Sequence, residues 1–171
     1  MKGRVLIVAG SDSGGGAGIQ ADIKAVTAMA AFAATAITAL TAQNTQGVFG
    51  VHPVPTDFIR QQIQVVMDDI GADTIKTGML GDATTIATVA DALAARAKNL
   101  PVVVDPVCAS KHGDPLLDED ALRVLRDGLL PLADVITPNL PEAALLLGRP
   151  VSSSQEQEKA ALDLVDLGAG W

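Results

Sequence analysis

The chain predicts an α/β fold with a mainly parallel sheet and helices on both faces, and three observations lead there. Short apolar runs of strand length alternate with amphipathic stretches of helical length, which calls for crossover connections between parallel strands. The first apolar run, Val5 to Ala9, passes directly into Ser11-Asp-Ser-Gly-Gly-Gly-Ala-Gly-Ile-Gln-Ala-Asp22, a junction of strand and helix. Polar residues also gather just after the apolar runs, where open α/β sheets collect ligands: Gly10 to Asp12, Gln43 and Asn44, Lys76 to Met79, Asp105, and Asn139 with Glu142.

In order, Arg4 to Ala9 reads as strand and Ile19 to Met29 as a helix with Ile19, Ile23 and Val26 on one side. Thr35 to Leu40 is a second strand despite its alanines, and Gly47 to Val54 a short edge piece ending at Pro55. Thr56 and Asp57 open a helix over Phe58 to Ile70, with Phe58, Ile59, Ile63, Val66, Met67 and Ile70 as its sheet-facing stripe. Strands follow at Ala72 to Lys76, Pro101 to Val104 and Val135 to Thr137. Helices are predicted over Thr84 to Lys98, Glu119 to Leu129, Pro141 to Leu147 and Gln155 to Leu167.

Composition narrows the function. With 171 residues and 49% hydrophobic content the chain can fill one sizeable core. Three Phe, one Trp and no Tyr leave little for nucleobase stacking, and a net charge of −8 gives no footprint for a nucleic-acid backbone. No stretch approaches the roughly 20 uninterrupted apolar residues of a membrane span. The opening Met-Lys-Gly-Arg reads as the approach to a buried strand rather than a signal sequence, and the single Cys108 suits a reducing cytoplasm.

The glycine cluster admits two readings, a tight strand-to-helix turn and a pocket in which helix-start amides face a ligand, with Asp12 and Asp22 as acceptors at its two ends. It matches neither Gly-x-x-x-x-Gly-Lys-Ser/Thr nor Gly-x-Gly-x-x-Gly, because no lysine follows Gly18 and Ile19 replaces the third glycine. Asp105 ends a strongly apolar strand, either as part of a magnesium and phosphate site or as a cap on the loop from Pro106 to Gly113. Lys111 and His112 lie in that loop, within reach of an anion or simply exposed. Asn139 and Glu142 form either a capping box or an oxygen pair for Mg²⁺ and polyphosphate. Gln43 and Asn44 offer donor and acceptor to a polar heterocycle or close a strand-end turn. Met79 serves as an apolar ring contact or as core. Cys108 has no histidine at a nucleophile's spacing and reads as packing.

Taken together, five blocks resemble the hydroxymethylpyrimidine/phosphomethylpyrimidine kinases of thiamine biosynthesis, in the ribokinase-like superfamily. They are Ala9 to Asp22, Ile37 to Thr45, Ile75-Lys-Thr-Gly-Met-Leu80, Val104-Asp-Pro-Val107 and Ile136-Thr-Pro-Asn-Leu-Pro-Glu-Ala143, in family order. The resemblance implies a ribokinase-like fold and ATP-dependent phosphorylation of 4-amino-5-hydroxymethyl-2-methylpyrimidine and its monophosphate. It places the small-molecule pyrimidine against Gly10, Asp22, Gln43, Met79 and Val107, with Ala17 and Gly18 in the glycine-rich wall. ATP phosphates fall to Asp105, Asn139 and Glu142, and Mg²⁺ to Asp105 and Glu142. A homodimer is compatible with it.

Family members run longer, so residues 1–171 correspond to the amino-terminal two thirds of a single domain. The family's Lys-Gly-Gly-His and Gly-Thr-Gly-Cys segments, with the anion-hole amides and catalytic cysteine, have no counterpart in the sequence. No catalytic residue is therefore assigned, and the expectation is weak or absent kinase activity with apolar surface uncovered at Val102 to Val104 or Val135 to Thr137. Two alternatives stand beside the kinase: an inactive pyrimidine-binding fragment, and a vitamin kinase acting on pyridoxal.

Overall fold

The first apolar run becomes strand β1, Arg4–Asp12, in a computed structural model that describes residues 1–109, 116–168 and 170. Leu6 and Val8 point to one face and Ile7 and Ala9 to the other, and all four are fully buried, so β1 is central. Helix α1 (Gly18–Ala28) returns the chain to β2 (Phe32–Asn44), parallel to β1, and β3 (Gly47–Pro53) turns back antiparallel along the end of β2. The chain continues through α2 (Thr56–Asp69), β4 (Thr74–Thr77), α3 (Ala83–Arg96), β5 (Val102–Val104), α4 (Glu119–Val124), β6 (Val135–Ile136), α5 (Leu140–Leu147) and α6 (Ser154–Asp166). The sheet order is β3-β2-β1-β4-β5-β6, with β3 at one edge as the antiparallel strand.

The two faces are covered unequally. On one, α1 sets Ile19 against Ile7 and Ala9. On the other, Leu6, Val8, Ile75, Val102 and Val104 meet Ile59 and Ile63 of α2, Ile86, Val89 and Leu93 of α3, and Leu125 and Leu129 beyond α4. This alternation corrects the expected bare surface at β5. Val102 and Val104 are buried under helices, and only Val103, which points to the α1 face beyond the reach of α1, is half-buried, while Val135 in β6 is exposed.

Local departures from the sequence pattern have physical causes. Strand β2 is longer than Thr35 to Leu40 because pairing with β1 on one side and β3 on the other overrides the weak strand preference of alanine. Where β3 does not reach, the Gln62 side chain acts as a strand substitute, its Oε1 accepting from Ile37 N at 2.9 Å and its Nε2 donating to Ile37 O at 3.1 Å. On α2, Ile59 and Ile63 are buried, but Phe58 is 53% exposed since it lies about 140° around the helix from Ile63. Ile70 stands past the last turn and is also exposed. The helix expected to run to Leu129 ends at Val124 and continues as a π-type turn, Leu125–Leu129, and a tight turn, Leu130–Leu132. Gly128 loosens that segment, and Pro131 has no N–H to extend it.

Helix starts are read well by side-chain oxygens. Asp82 caps α3 and Asp118 caps α4, while α5 and α6 each open on a reciprocal capping box, Asn139 with Glu142 and Ser153 with Glu156. Helix α2 departs from expectation, with Pro55 at its cap and no side-chain bond there.

Two outcomes follow from this packing. Replacing Ile63 by Ala is expected to lower stability in urea unfolding by about 2 to 5 kcal/mol, while Phe58→Ala changes it by no more than about 0.5 kcal/mol; equal losses would contradict the buried line of α2. The amide of Ser153, the hydroxyl and amide of Ser152 and the hydroxyl of Ser153 pull the Glu156 carboxyl down from 4.5 to about 2. A depressed folded value means the stabilisation is complete above 4.5 and drains away as pH falls toward 2. In acid titrations followed by circular dichroism, Glu156→Gln should therefore show a shallower loss of stability than the parent between pH 4.5 and 2.

Candidate functional site

The carboxyl ends of β1, β2 and β4 and the segment after β5 enclose a cavity of about 350 Å³. That volume suits a small heterocycle. Every residue expected at the pyrimidine lines it: Gly10, Ala17, Gly18, Asp22, Gln43, Met79 and Val107. Asp105 joins them. Asn139 and Glu142 do not line it, and Lys111 and His112 lie outside the described residues.

The floor is built from β1 and the turn after it. Gly10 N donates to Met79 O at 3.1 Å, and the buried Thr38 hydroxyl donates to the same carbonyl at 2.7 Å, which fixes the Met79 side chain over Gly10. Gly18 has φ +55°, and a Cβ there would stand 2.3 Å from Gly10 O, so no side chain is possible.

Between these points the glycines wrap around Asp12 rather than facing a ligand. The Asp12 carboxylate accepts from Gly14 N at 2.7 Å, Gly16 N at 2.9 Å and Ala17 N at 2.8 Å. Burial would raise this carboxyl, but the amides outweigh it and hold it below the ordinary range. Three of the amides that the glycine cluster seemed to offer a ligand are thus already occupied. This corrects the reading of Asp12 as a free acceptor.

The walls are polar on one side and apolar on the other. Ser13 joins the turn to β2, accepting from Gln43 N at 2.8 Å and donating to Gln43 O at 2.9 Å. The Thr41 hydroxyl lies 3.2 Å from Gln43 Oε1, while Gln43 Nε2 has no partner among the described residues. Val107 closes another side with φ +41°, a conformation that β-branched residues rarely adopt. Such strain concentrates at functional sites.

Lys76, given no role by any motif, is central. It projects from β4 on the α1 face, and its ammonium lies 2.9 Å from Asp22 Oδ2 and 3.3 Å from Asp105 Oδ2. The available signal was a lysine inside Thr-Ile-Lys-Thr, a strand between apolar strands, where a charge needs acidic partners.

Behind Asp105, Glu142 is 4% exposed; its Oε2 accepts from Asn139 N at 2.8 Å while Asn139 Oδ1 accepts from Glu142 N at 2.9 Å. Burial pushes its carboxyl up, the charge of Asp105 adds to this, and the amides of Asn139, Cys108 and Ala109 oppose it. The capping box is thus observed. Cys108 is buried, and burial followed by the charge of Glu142 raises its thiol to about 12, so it is an inert packing group. Among the described residues no cluster of three or more His, Cys, Asp or Glu is placed to hold a metal ion.

Comparison with known proteins places this geometry in a family. The family model described as phosphomethylpyrimidine kinase matches residues 12–171. The hydroxymethylpyrimidine/phosphomethylpyrimidine kinase of Mycobacterium leprae is 52% identical over 168 residues, covering 98% of this chain and 60% of that relative. The chain therefore spans about 60% of the length of such curated relatives. The crystal structure of phosphomethylpyrimidine kinase from Clostridium difficile superposes with a TM-score of 0.91 at 40% identity, over 97% of this chain and 71% of that one. Pyridoxal kinase from Staphylococcus aureus, in complex with pyridoxal, superposes with a TM-score of 0.85 at 36% identity, over 97% and 61%. The match through nearly all of the sequence, carried on a ribokinase-like sheet with its polar residues on one rim, establishes that the chain belongs to the phosphomethylpyrimidine kinase family.

Proposed function

We propose that residues 1–171 form the substrate-binding part of a single ribokinase-like kinase domain. Its reaction transfers the γ-phosphoryl group of ATP to the hydroxymethyl oxygen of 4-amino-5-hydroxymethyl-2-methylpyrimidine, then to the resulting monophosphate, in thiamine biosynthesis. The observation that carries this reading is the convergence of Gly10, Asp22, Gln43, Met79 and Val107 on one cavity, with the Gln43 amide nitrogen without a partner among the described residues.

An aminopyrimidine edge presents a ring-nitrogen acceptor beside an amino donor. Gln43 offers the complementary pair on one planar group, Nε2 to the ring nitrogen and Oε1 to the amino group. Met79 and Val107 supply the apolar contacts, and Asp22 is the acceptor nearest the hydroxymethyl group in this reading. Catalysis of phosphoryl transfer rests chiefly on alignment and on neutralising charge.

ATP and Mg²⁺ belong on the Asp105 side, with Asn139 and Glu142 toward the phosphates. Magnesium keeps several waters and takes one or two carboxylates with phosphate oxygens, so the oxygen donors of Asp105 and Glu142 suit it without a three-residue cluster. When bound, the ion would offset charge on the transferred phosphoryl group. The contribution of this chain is to hold the two acids in place, Glu142 by the Asn139 amide and Asp105 by the Lys76 ammonium.

The inactive-fragment and pyridoxal readings have no observation of their own in the cavity. Release of ADP by the purified chain with pyrimidine, ATP and Mg²⁺ separates the first from a working kinase. For substrate choice, isothermal titration is expected to show tighter binding of the aminopyrimidine than of pyridoxal, and Gln43→Ala should weaken pyrimidine binding by about 1 to 3 kcal/mol. Equal pyrimidine affinity of parent and Gln43→Ala would remove Gln43 from ring recognition.

A further inference from the structure

We infer that Lys76 is a positioning residue of the pyrimidine site, acting through Asp22; this rests on the pyrimidine reading of the cavity. The Lys76 ammonium engages Asp22 Oδ2 at 2.9 Å and Asp105 Oδ2 at 3.3 Å, with the three side chains between about one fifth and one third exposed. Asp22 makes no other side-chain bond among the described residues, which leaves its Oδ1 for the hydroxymethyl O–H of the ligand.

Two features show that this ammonium is held in place. Lys76 sits in β4 between Ile7 of β1 and Val103 of β5, so its stem emerges from the middle of the sheet. Its tip then bends over Gly78, where a Cβ would lie only 3.0 Å from both Lys76 Nζ and Ala9 Cβ. The glycine makes room for the charge.

Without the ammonium, Asp22 and Asp105 would face each other as two acids, and Asp22 would lose the contact that selects its orientation. Like charges brought together in a partly desolvated site repel, and an acid freed of its partner turns toward water. Neither helix α1, which carries Asp22, nor the segment bearing Asp105 supplies another cation to the pair among the described residues: Lys24, also on α1, donates to Gly15 O instead. Lys76 therefore links the acid at the pyrimidine to the acid on the phosphate side.

A double-mutant cycle tests this, with 4-amino-5-hydroxymethyl-2-methylpyrimidine as titrant and thermal unfolding as a check on folding. Lys76→Met is expected to weaken binding about tenfold in the parent and less than about twofold in an Asp22→Asn background, since the effect passes through Asp22. A purely structural lysine would cost the same in both backgrounds, and that result overturns the inference. So does unchanged affinity of Lys76→Met while the parent binds. If the parent itself fails to bind the pyrimidine, the reading of the cavity falls, and the role of Lys76 with it. Should Lys76→Met fail to fold, Lys76→Gln, which keeps length and one donor group, is put through the same cycle with the same criteria.

Discussion

The carboxyl edge of the sheet depends on one buried acid. Asp12 ends β1 and gathers the amides of Gly14, Gly16 and Ala17, turning a segment with large conformational freedom into a single closed loop. Gln20 reinforces it from α1, accepting from Asp12 N at 2.8 Å and donating to Ser11 Oγ at 2.7 Å. With the loop closed, α1 must begin where Gly18 touches the Gly10 carbonyl, and Asp22 follows one turn later above the cavity. The position of Asp22 at the cavity is thus set by another acid, whose own carboxylate is taken up by backbone amides.

From that fixed edge the site divides into two parts with different chemistry. Strands β1, β2 and β4 surround the neutral, planar end of the cavity with Gln43 and Met79. The segment after β5 carries Asp105 and the start of α5 carries Glu142, whose carboxyl is raised first by burial and further by the charge of Asp105. The Lys76 ammonium joins the parts, meeting Asp22 on one side and Asp105 on the other. This link crosses between elements far apart in sequence, so the two halves cannot separate without breaking a charged contact.

Much of this was legible in the sequence, because its signals were local. The alternation of strands and helices, the edge piece that starts at Gly47 and the box of Asn139 with Glu142 all rest on neighbours within a few residues. What the spacing of residues hid was tertiary. The glycine amides looked available because nothing in Ser11 to Asp22 says that the Asp12 side chain folds back upon them. Phe58 fits the apolar pattern of a core residue, but its angle around α2 carries it away from the buried line of Ile59 and Ile63. The role of Lys76 is invisible in its local sequence because its partners lie 54 and 29 residues away, on a helix and beyond a different strand. The strain at Val107 has no signature in residue type at all, since valine is an unfavourable choice for that backbone.

The cavity has a floor that cannot be redecorated and walls that can. At Gly18 an added carbon meets backbone at 2.3 Å, which bars any side chain, and at Gly78 it would press at 3.0 Å on Ala9 of the neighbouring strand and on the paired ammonium, so a side chain there comes only with their displacement. A floor of this kind is chemically anonymous: it excludes bulk and favours a flat molecule without distinguishing one flat molecule from another. Discrimination among flat molecules then falls to a few side chains around the rim. A change of substrate in such a scaffold should come from exchanging Gln43, Met79 or Val107 while the backbone beneath stays as it is, which makes the pocket easy to retune and hard to rebuild.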